Sequence, residues 1–220
     1  MDCDGNTSNA LKYFELGGVP IRFEIMKRKL GFLQYLLKED KESLIYNVLK
    51  ATKENPLKND FVKTCEKYLK ILKIELSFEE IGNMSKNSFK KVIKDRVKVA
   101  AYSYLISEQE KQSKITDIKY QKLEMQAYLA DGSRDTRLSK LIFKARGKTL
   151  DIKMDKRWKY DDTLCSGCNK KEETGEEILG CDKLGENDEN VPYGWFFENS
   201  EKQLFAAKVM MKKLKIREKI

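Results

Sequence analysis

At 220 residues, with 36% charged and 40% hydrophobic side chains, the chain is long enough for one large helical domain, or a domain with an appendage, and has the apolar residues for a core. Its formal net charge is +9, and no apolar run approaches the length of a bilayer span; so basic a chain is expected to meet a polyanion, most often nucleic acid or an anionic membrane surface, the alternative being that the charge serves solubility alone. The polar start, Met1 to Asn9, has no hydrophobic stretch of a secretory signal, and the five cysteines are an odd number, so the expected setting is reducing and intracellular, nuclear or cytoplasmic.

Only three prolines interrupt the chain, and the periodicity between them is helical. Residues 1–16 read as a disordered or fraying N-terminus. After Gly17-Gly18-Val19, Pro20 stands at a natural helix start, and Ile25, Met26, Leu30, Leu33, Leu36 and Leu37 recur at three- and four-residue steps. Glu39-Asp40 ends that helix. A second carries Leu44, Ile45, Val48 and Leu49 inward and stops before Pro56. A third begins near Asp60 and buries Val62, Cys65, Leu69 and Leu72, with Cys65 read as a small core residue. Ser77-Phe-Glu-Glu80 has the pattern of a capping box. Ser85 then caps a long helix to about Gln112, with a core stripe of Phe89, Val92, Ile93, Val97, Ala100, Ala101, Tyr104 and Leu105. Two amphipathic helices are expected over Asp117–Leu129 and Ser133–Arg146. A last helix, Ser200 to Arg217, should bury Leu204, Phe205, Ala207, Met211 and Leu214. No strand-like alternation, internal repeat or glycine-rich phosphate loop is present. The expected fold class is all-α: a multi-helix bundle with a small, loop-rich C-terminal knuckle and a final helix. Its domains are a basic helical domain (17–157), an acidic knuckle-like segment (158–199) and the C-terminal helix (200–220).

The most specific motif is Cys165-Ser-Gly-Cys168, followed twelve residues later by Cys181. A Cys-x2-Cys turn points two thiolates at one ion, and zinc takes four Cys, His or carboxylate ligands in a tetrahedron. The chain has no histidine, so Glu177 is the best fourth ligand, giving Cys-x2-Cys-x8-Glu-x3-Cys. The site reads either as Cys3Glu or as a decayed knuckle. A closed structural zinc site is favoured over a catalytic one with Glu177 as base, because no second catalytic group lies nearby in sequence; no catalytic residue is assigned. Trp158, Leu164, Ile178 and Leu179 are the expected apolar cover. Tyr160-Asp161-Asp162 resembles a polymerase metal-binding turn but lacks flanking strands.

Charge is uneven. Cys165 to Asn199 holds nine acids and three lysines, so the rest of the chain is strongly basic. Lys86, Lys90, Lys94 and Lys98 recur every four residues on the long helix, where like charges repel by a few tenths of a kcal/mol per pair. Such a row is either a solvated face or a track for phosphates. Arg22, Lys27, Arg28 and Lys29 form a second basic cluster, interleaved with Phe23 and Phe32, which read as core. Lys140, Lys144, Arg146 and Lys148 form a weaker third.

Gly18-Val-Pro-Ile-Arg-Phe-Glu-Ile-Met-Lys-Arg-Lys-Leu-Gly-Phe-Leu-Gln-Tyr-Leu-Leu37 resembles the segment after the polymerase palm of non-LTR retrotransposon reverse transcriptases, which read Leu-Pro-x-Arg, a basic stretch, then Phe-Leu-x-x-Ile-Leu. Ile81 to Lys91, Lys122 to Leu129 and Leu214 to Lys219 are similar to further blocks of that family. Trp158 to Cys181 is similar to its knuckle, except that Glu177 stands where the family has histidine. The resemblance implies a thumb- and linker-like helical region with a zinc knuckle, binding the backbone of RNA or DNA. The family's fingers, palm and polymerase aspartates are not among these residues, so it implies no copying by this chain on its own. A separate fingers–palm polymerase chain is an implied partner, and a helical protein-interaction or structural role is the alternative.

Overall fold

The structure is a computed structural model that describes residues 8–55, 60–112, 115, 118–130, 135–185 and 191–220. These residues are all-α: ten helices and no β-strand are found among them, with two isolated β-bridges. The chain divides into two compact units, Val19–Ile106 and Met1–Gly18 with Ser107–Ile220. The division does not fall at residue 157, and the C-terminal helix belongs to the second of these units.

In Val19–Ile106 the helices are α2 (Ile21–Leu37), α3 (Leu44–Glu54), α4 (Phe61–Ile71), α5 (Phe78–Asn83) and most of α6 (Lys86–Glu110). Pro20 is the N-cap of α2, whose Phe23, Met26, Leu30, Leu33 and Leu36 are buried. Ile25 is exposed and Leu37 half-buried, so the buried stripe is narrower than the periodicity implied. Polar Gln34 joins this stripe because its amide donates to the carbonyls of Ile81 (3.2 Å) and Met84 (3.1 Å) at the end of α5, where no intrahelical partner exists. Phe23 packs 5.9 Å from Tyr104, near the far end of α6, so α2 and α6 run antiparallel. On α6 the buried row is Phe89, Ile93, Val97, Ala101 and Leu105, while Val92, Ala100 and Tyr104 are half-buried. Ser77 and Glu80 form the reciprocal capping box on α5, and Ser85 accepts from the amide of Ser88 at the head of α6. Cys65 is fully buried on α4, with Val62, Leu69 and Leu72, and burial pushes its thiol up to about 12.

Helix α3 departs from its expected pattern. Only Leu49 is buried; Leu44, Ile45 and Val48 are 79%, 50% and 56% exposed. With Phe32, Leu36 and Phe61 they line an open apolar groove between α2, α3 and α4. Phe32, expected in the core, is 52% exposed and lies 5.7 Å from Phe61.

The other unit contains α1 (Asn9–Glu15), α7 (Ala127–Ala130), α8 (Thr136–Arg146), α9 (Gly175–Gly180) and α10 (Ser200–Arg217). The segment expected to fray is ordered from Ser8, whose hydroxyl caps α1, and Leu11 and Phe14 are fully buried; residues 1–7 lie outside the described residues. The helix expected over Asp117–Leu129 is a correction. Residues 118–126 are irregular, and only Ala127–Ala130 are helical. Their backbone pairs with the end of α1 instead: Leu16 bridges Met125, and the Gln126 amide donates to the Glu15 carbonyl at 2.9 Å. Gly17 makes that approach possible. Its φ is +61°, and a Cβ there would stand 2.2 Å from the Met125 nitrogen.

Beside this contact lies a buried polar network. Glu15 is fully buried and accepts from the Tyr120 hydroxyl, the Tyr128 hydroxyl (2.7 Å) and Arg146 Nε (2.7 Å). Arg146 also donates to the Phe196 carbonyl at 2.9 Å. A charge this deep is tolerated only because each of its partners is in place. Helix α10 packs on α7, α8, α9 and the turn Tyr193–Phe197. Its buried residues are Gln203, Ala206, Ala207, Met210 and Lys213, a face rotated by about one residue from the one expected.

Candidate metal centre and cationic face

The knuckle is built around a turn closed by backbone bonds. Leu164 bridges Glu172; the Cys165 amide donates to the Lys171 carbonyl (2.7 Å), and the Asn169 amide to the Cys165 carbonyl (2.8 Å). Asn169 adopts a left-handed φ of 53°, which an asparagine tolerates and which lets the chain reverse immediately after Cys168. Gly167 fits because a Cβ there would meet Leu184 at 2.8 Å and the Cys181 sulfur at 3.2 Å. Thr174 caps α9 through the Glu177 amide (3.1 Å), placing Glu177 in its first turn and Cys181 just past its end.

These elements bring Cys165, Cys168, Glu177 and Cys181 together, with their ligand atoms all within 4.8 Å of one another. Cys165 and Cys181 sulfurs are 3.7 Å apart, and the Cys168 sulfur is 3.3 Å from Glu177 Oε1. Zinc–sulfur bonds of about 2.3 Å in a tetrahedron set sulfurs about 3.8 Å apart, so the donors already stand near coordination spacing. The set can hold one metal ion with four protein donors. Cys165 and Cys181 are buried, whereas Cys168 and Glu177 are half-buried. Burial pushes the Cys165 thiol up to about 11; the amide of Lys170 holds Cys168 below the usual thiol value. Ile178 and Leu179 supply apolar cover as expected, but Trp158 and Leu164 are exposed, and Leu184 takes their place.

Three residues of this region are missed by motif reading. Glu173 is fully buried beside the ligands and is not one of them. It accepts from the amides of Lys153 and Ser166 (both 3.0 Å), the Ser166 hydroxyl (2.8 Å) and Arg217 Nη2 (2.8 Å). Arg217 also donates to the Asp151 carbonyl at 2.7 Å. Lys213, 3% exposed, donates to the Cys181 carbonyl at 3.0 Å. The only sequence signal for Lys213 and Arg217 is positional: they continue the 203, 206, 210 spacing of α10's buried face.

The basic residues sort into two groups. Lys86, Lys90, Lys94 and Lys98 are all exposed, with no ion pair among the described residues. Each of the last three follows a buried residue (Phe89, Ile93, Val97), so the row runs beside the core row, about 100° around the helix and about 6 Å per step. Arg28 is likewise exposed. The rest of its cluster is engaged within the fold. Arg22, although exposed, lies 3.4 Å over the Tyr104 ring, half-buried Lys27 pairs with Glu24 at 2.5 Å, and half-buried Lys29 lies 5.7 Å over Tyr68. Arg146 of the third cluster is the buried partner of Glu15. Val19–Ile106 contains 19 Lys and Arg against 11 Asp and Glu, a net of +8 out of the chain's +9.

No described helix is long and apolar enough to cross a membrane. No family model matches the chain, and no curated protein and no solved structure is significantly similar to it.

Proposed function

We propose that this protein is a nucleic-acid-binding module, akin to the thumb and linker region of a non-LTR retrotransposon reverse transcriptase, with a zinc ion pinning its knuckle. The observation that carries the reading is the row Lys86, Lys90, Lys94 and Lys98: exposed, without an ion pair among the described residues, parallel to the core row, and set in the unit that holds nearly all of the net charge. Ammonium groups about 6 Å apart on a rigid helix repel one another, and phosphates relieve that repulsion while releasing counterions. Arg28 and Arg22, both exposed, add two further cations, whereas half-buried Lys27 and Lys29 act through the packing of α2.

Zinc is the metal assigned to the centre, because three thiolates and a carboxylate near tetrahedral spacing match its ligand preference and complete its four-coordinate shell. With all four positions filled by protein, the ion's role is to fold its loop. The test is fluorescence anisotropy with labelled RNA and DNA oligonucleotides, comparing the protein with a fourfold Lys→Gln variant at 86, 90, 94 and 98. The expected result is a loss of at least about tenfold in affinity, spread evenly over sequences. Equal affinity of the two proteins would overturn the reading. The uncovered apolar face of α3 favours a second reading, a helical protein-interaction module, for which nucleic-acid affinity would be absent from both proteins.

A further inference from the structure

Helix α3 borders a second concavity besides the apolar groove. A cavity of about 560 Å³ lies between α3, the end of α2 and α5, all within Val19–Ile106. Its volume falls in the range that encloses a small ligand. The lining differs in kind from that of the groove, which has no charged residue. Leu37, Leu49 and Phe78 supply an apolar part, with Leu49 and Phe78 buried. Three lysines stand on the wall: Lys41 from the turn before α3, and Lys50 and Lys53 from α3 itself. All three are exposed and have no ion pair among the described residues; Lys53 lies 5.3 Å over the Phe78 ring. Two carboxylates, Glu54 and Glu79, share the polar lining with Tyr46 and Asn83. A neighbouring cavity that shares Lys53 and Phe78 sets two lysines against two glutamates, so it offers an anion no net attraction.

The mixture of groups narrows the ligand. A bare phosphate would leave the apolar part empty, and an apolar molecule would leave the ammonium groups and carboxylates unmatched. A ribonucleotide matches each part: phosphate for lysine, a flat base for the leucine and phenylalanine side chains, and a ribose hydroxyl that donates to a carboxylate. The place in the chain also fits, because Asn83 stands three residues before Lys86, the first of the exposed lysine row. A strand whose phosphates follow that row can deliver one nucleotide here. We propose that this cavity holds a single nucleotide of a bound strand and selects RNA over DNA. Lys41 and Lys50 meet its phosphate, and Glu54 and Glu79 accept from its 2′-hydroxyl and from N–H groups of its base. This inference rests on the nucleic-acid reading given above and adds to it a preference that the lysine row alone cannot supply, since phosphates are common to RNA and DNA.

The test is fluorescence anisotropy with single-stranded RNA and DNA of one sequence, for the unsubstituted protein, a Glu54→Gln/Glu79→Gln variant and a Lys41→Gln/Lys50→Gln variant. All four side chains are exposed, so the substitutions leave the core intact. The ratio of RNA to DNA affinity is the quantity read, because removing a charge shifts both affinities together. A hydrogen bond to a charged group contributes enough for about a tenfold preference, so the unsubstituted protein should favour RNA by about that factor. The glutamate variant should lose the preference, with a ratio within about twofold of one, and the lysine variant should weaken both affinities while keeping a preference for RNA. Equal affinity of the unsubstituted protein for RNA and DNA would overturn the inference and leave the nucleic-acid reading standing. A preference that survives in the glutamate variant would also overturn it, placing the discrimination elsewhere. No binding of either strand by the unsubstituted protein would overturn both.

Discussion

Glu173 shows how much of the knuckle is held by groups outside its ligand set. Burial works to raise its carboxyl, but the amides of Ser166 and Lys153, the Ser166 hydroxyl and the Arg217 guanidinium favour the anion and hold it below the ordinary glutamate value. A carboxyl whose folded-state value is depressed adds stability above its unfolded value, near pH 4.3, and loses that contribution as the pH falls through the folded value. Glu173→Gln should therefore destabilise the protein by about 3 kcal/mol at neutral pH, with the difference from the unsubstituted protein shrinking below about pH 4. Thermal melts across that range would check it; a difference independent of pH would assign the effect to packing. At the ligands themselves, Cys168→Ser should abolish the one-metal stoichiometry seen by native mass spectrometry. Glu177→His should tighten zinc retention against a chelator, since imidazole is a better zinc donor than carboxylate. Unchanged retention in Glu177→His would mean that Glu177 contributes no bond.

At the scale of elements, α3 and α6 make contrasting predictions. Leu49 is the buried anchor of α3, and Leu49→Ala should cost about 2–4 kcal/mol in a denaturant melt, whereas Val48→Ser on the exposed face should change stability by no more than about 0.5 kcal/mol. A large loss in Val48→Ser would show that the groove is covered in solution. Periodicity located most helices because their apolar residues repeat locally: the α4 stripe of Val62, Cys65, Leu69 and Leu72, the Ser77–Glu80 capping box and the α6 row all depend on neighbours within a few turns. It failed where distant partners decide. Residues 118–126 look amphipathic, but their backbone is committed to Glu15 and Leu16, over a hundred residues away in sequence. On α10 a window scores Lys213 as a surface residue and shifts the inward face accordingly. The metal cluster was legible because Cys-x2-Cys and the short α9 are local; Glu173, Lys213 and Arg217 were not, because their partners lie 7 to 66 residues away.

At the scale of the molecule, the sequence boundary at residue 157 hid a separation of charge. Met1–Gly18 with Ser107–Ile220 balances 25 Lys and Arg against 24 Asp and Glu, so this unit is close to neutral and carries the candidate metal ligands, while Val19–Ile106 carries nearly the whole positive charge. The exposed lysine row and the candidate metal ligands thus belong to different units of the chain, so the account predicts that each proposed function can be removed without the other. The most direct measurement is the salt dependence of RNA and DNA affinity between about 50 and 200 mM, for the unsubstituted protein and the fourfold Lys→Gln variant. Each phosphate neutralised contributes about 0.7 to 0.9 to the slope of log affinity against log salt, so the unsubstituted protein should be steeper by about 3. Parallel slopes, or an affinity indifferent to salt, would contradict the account.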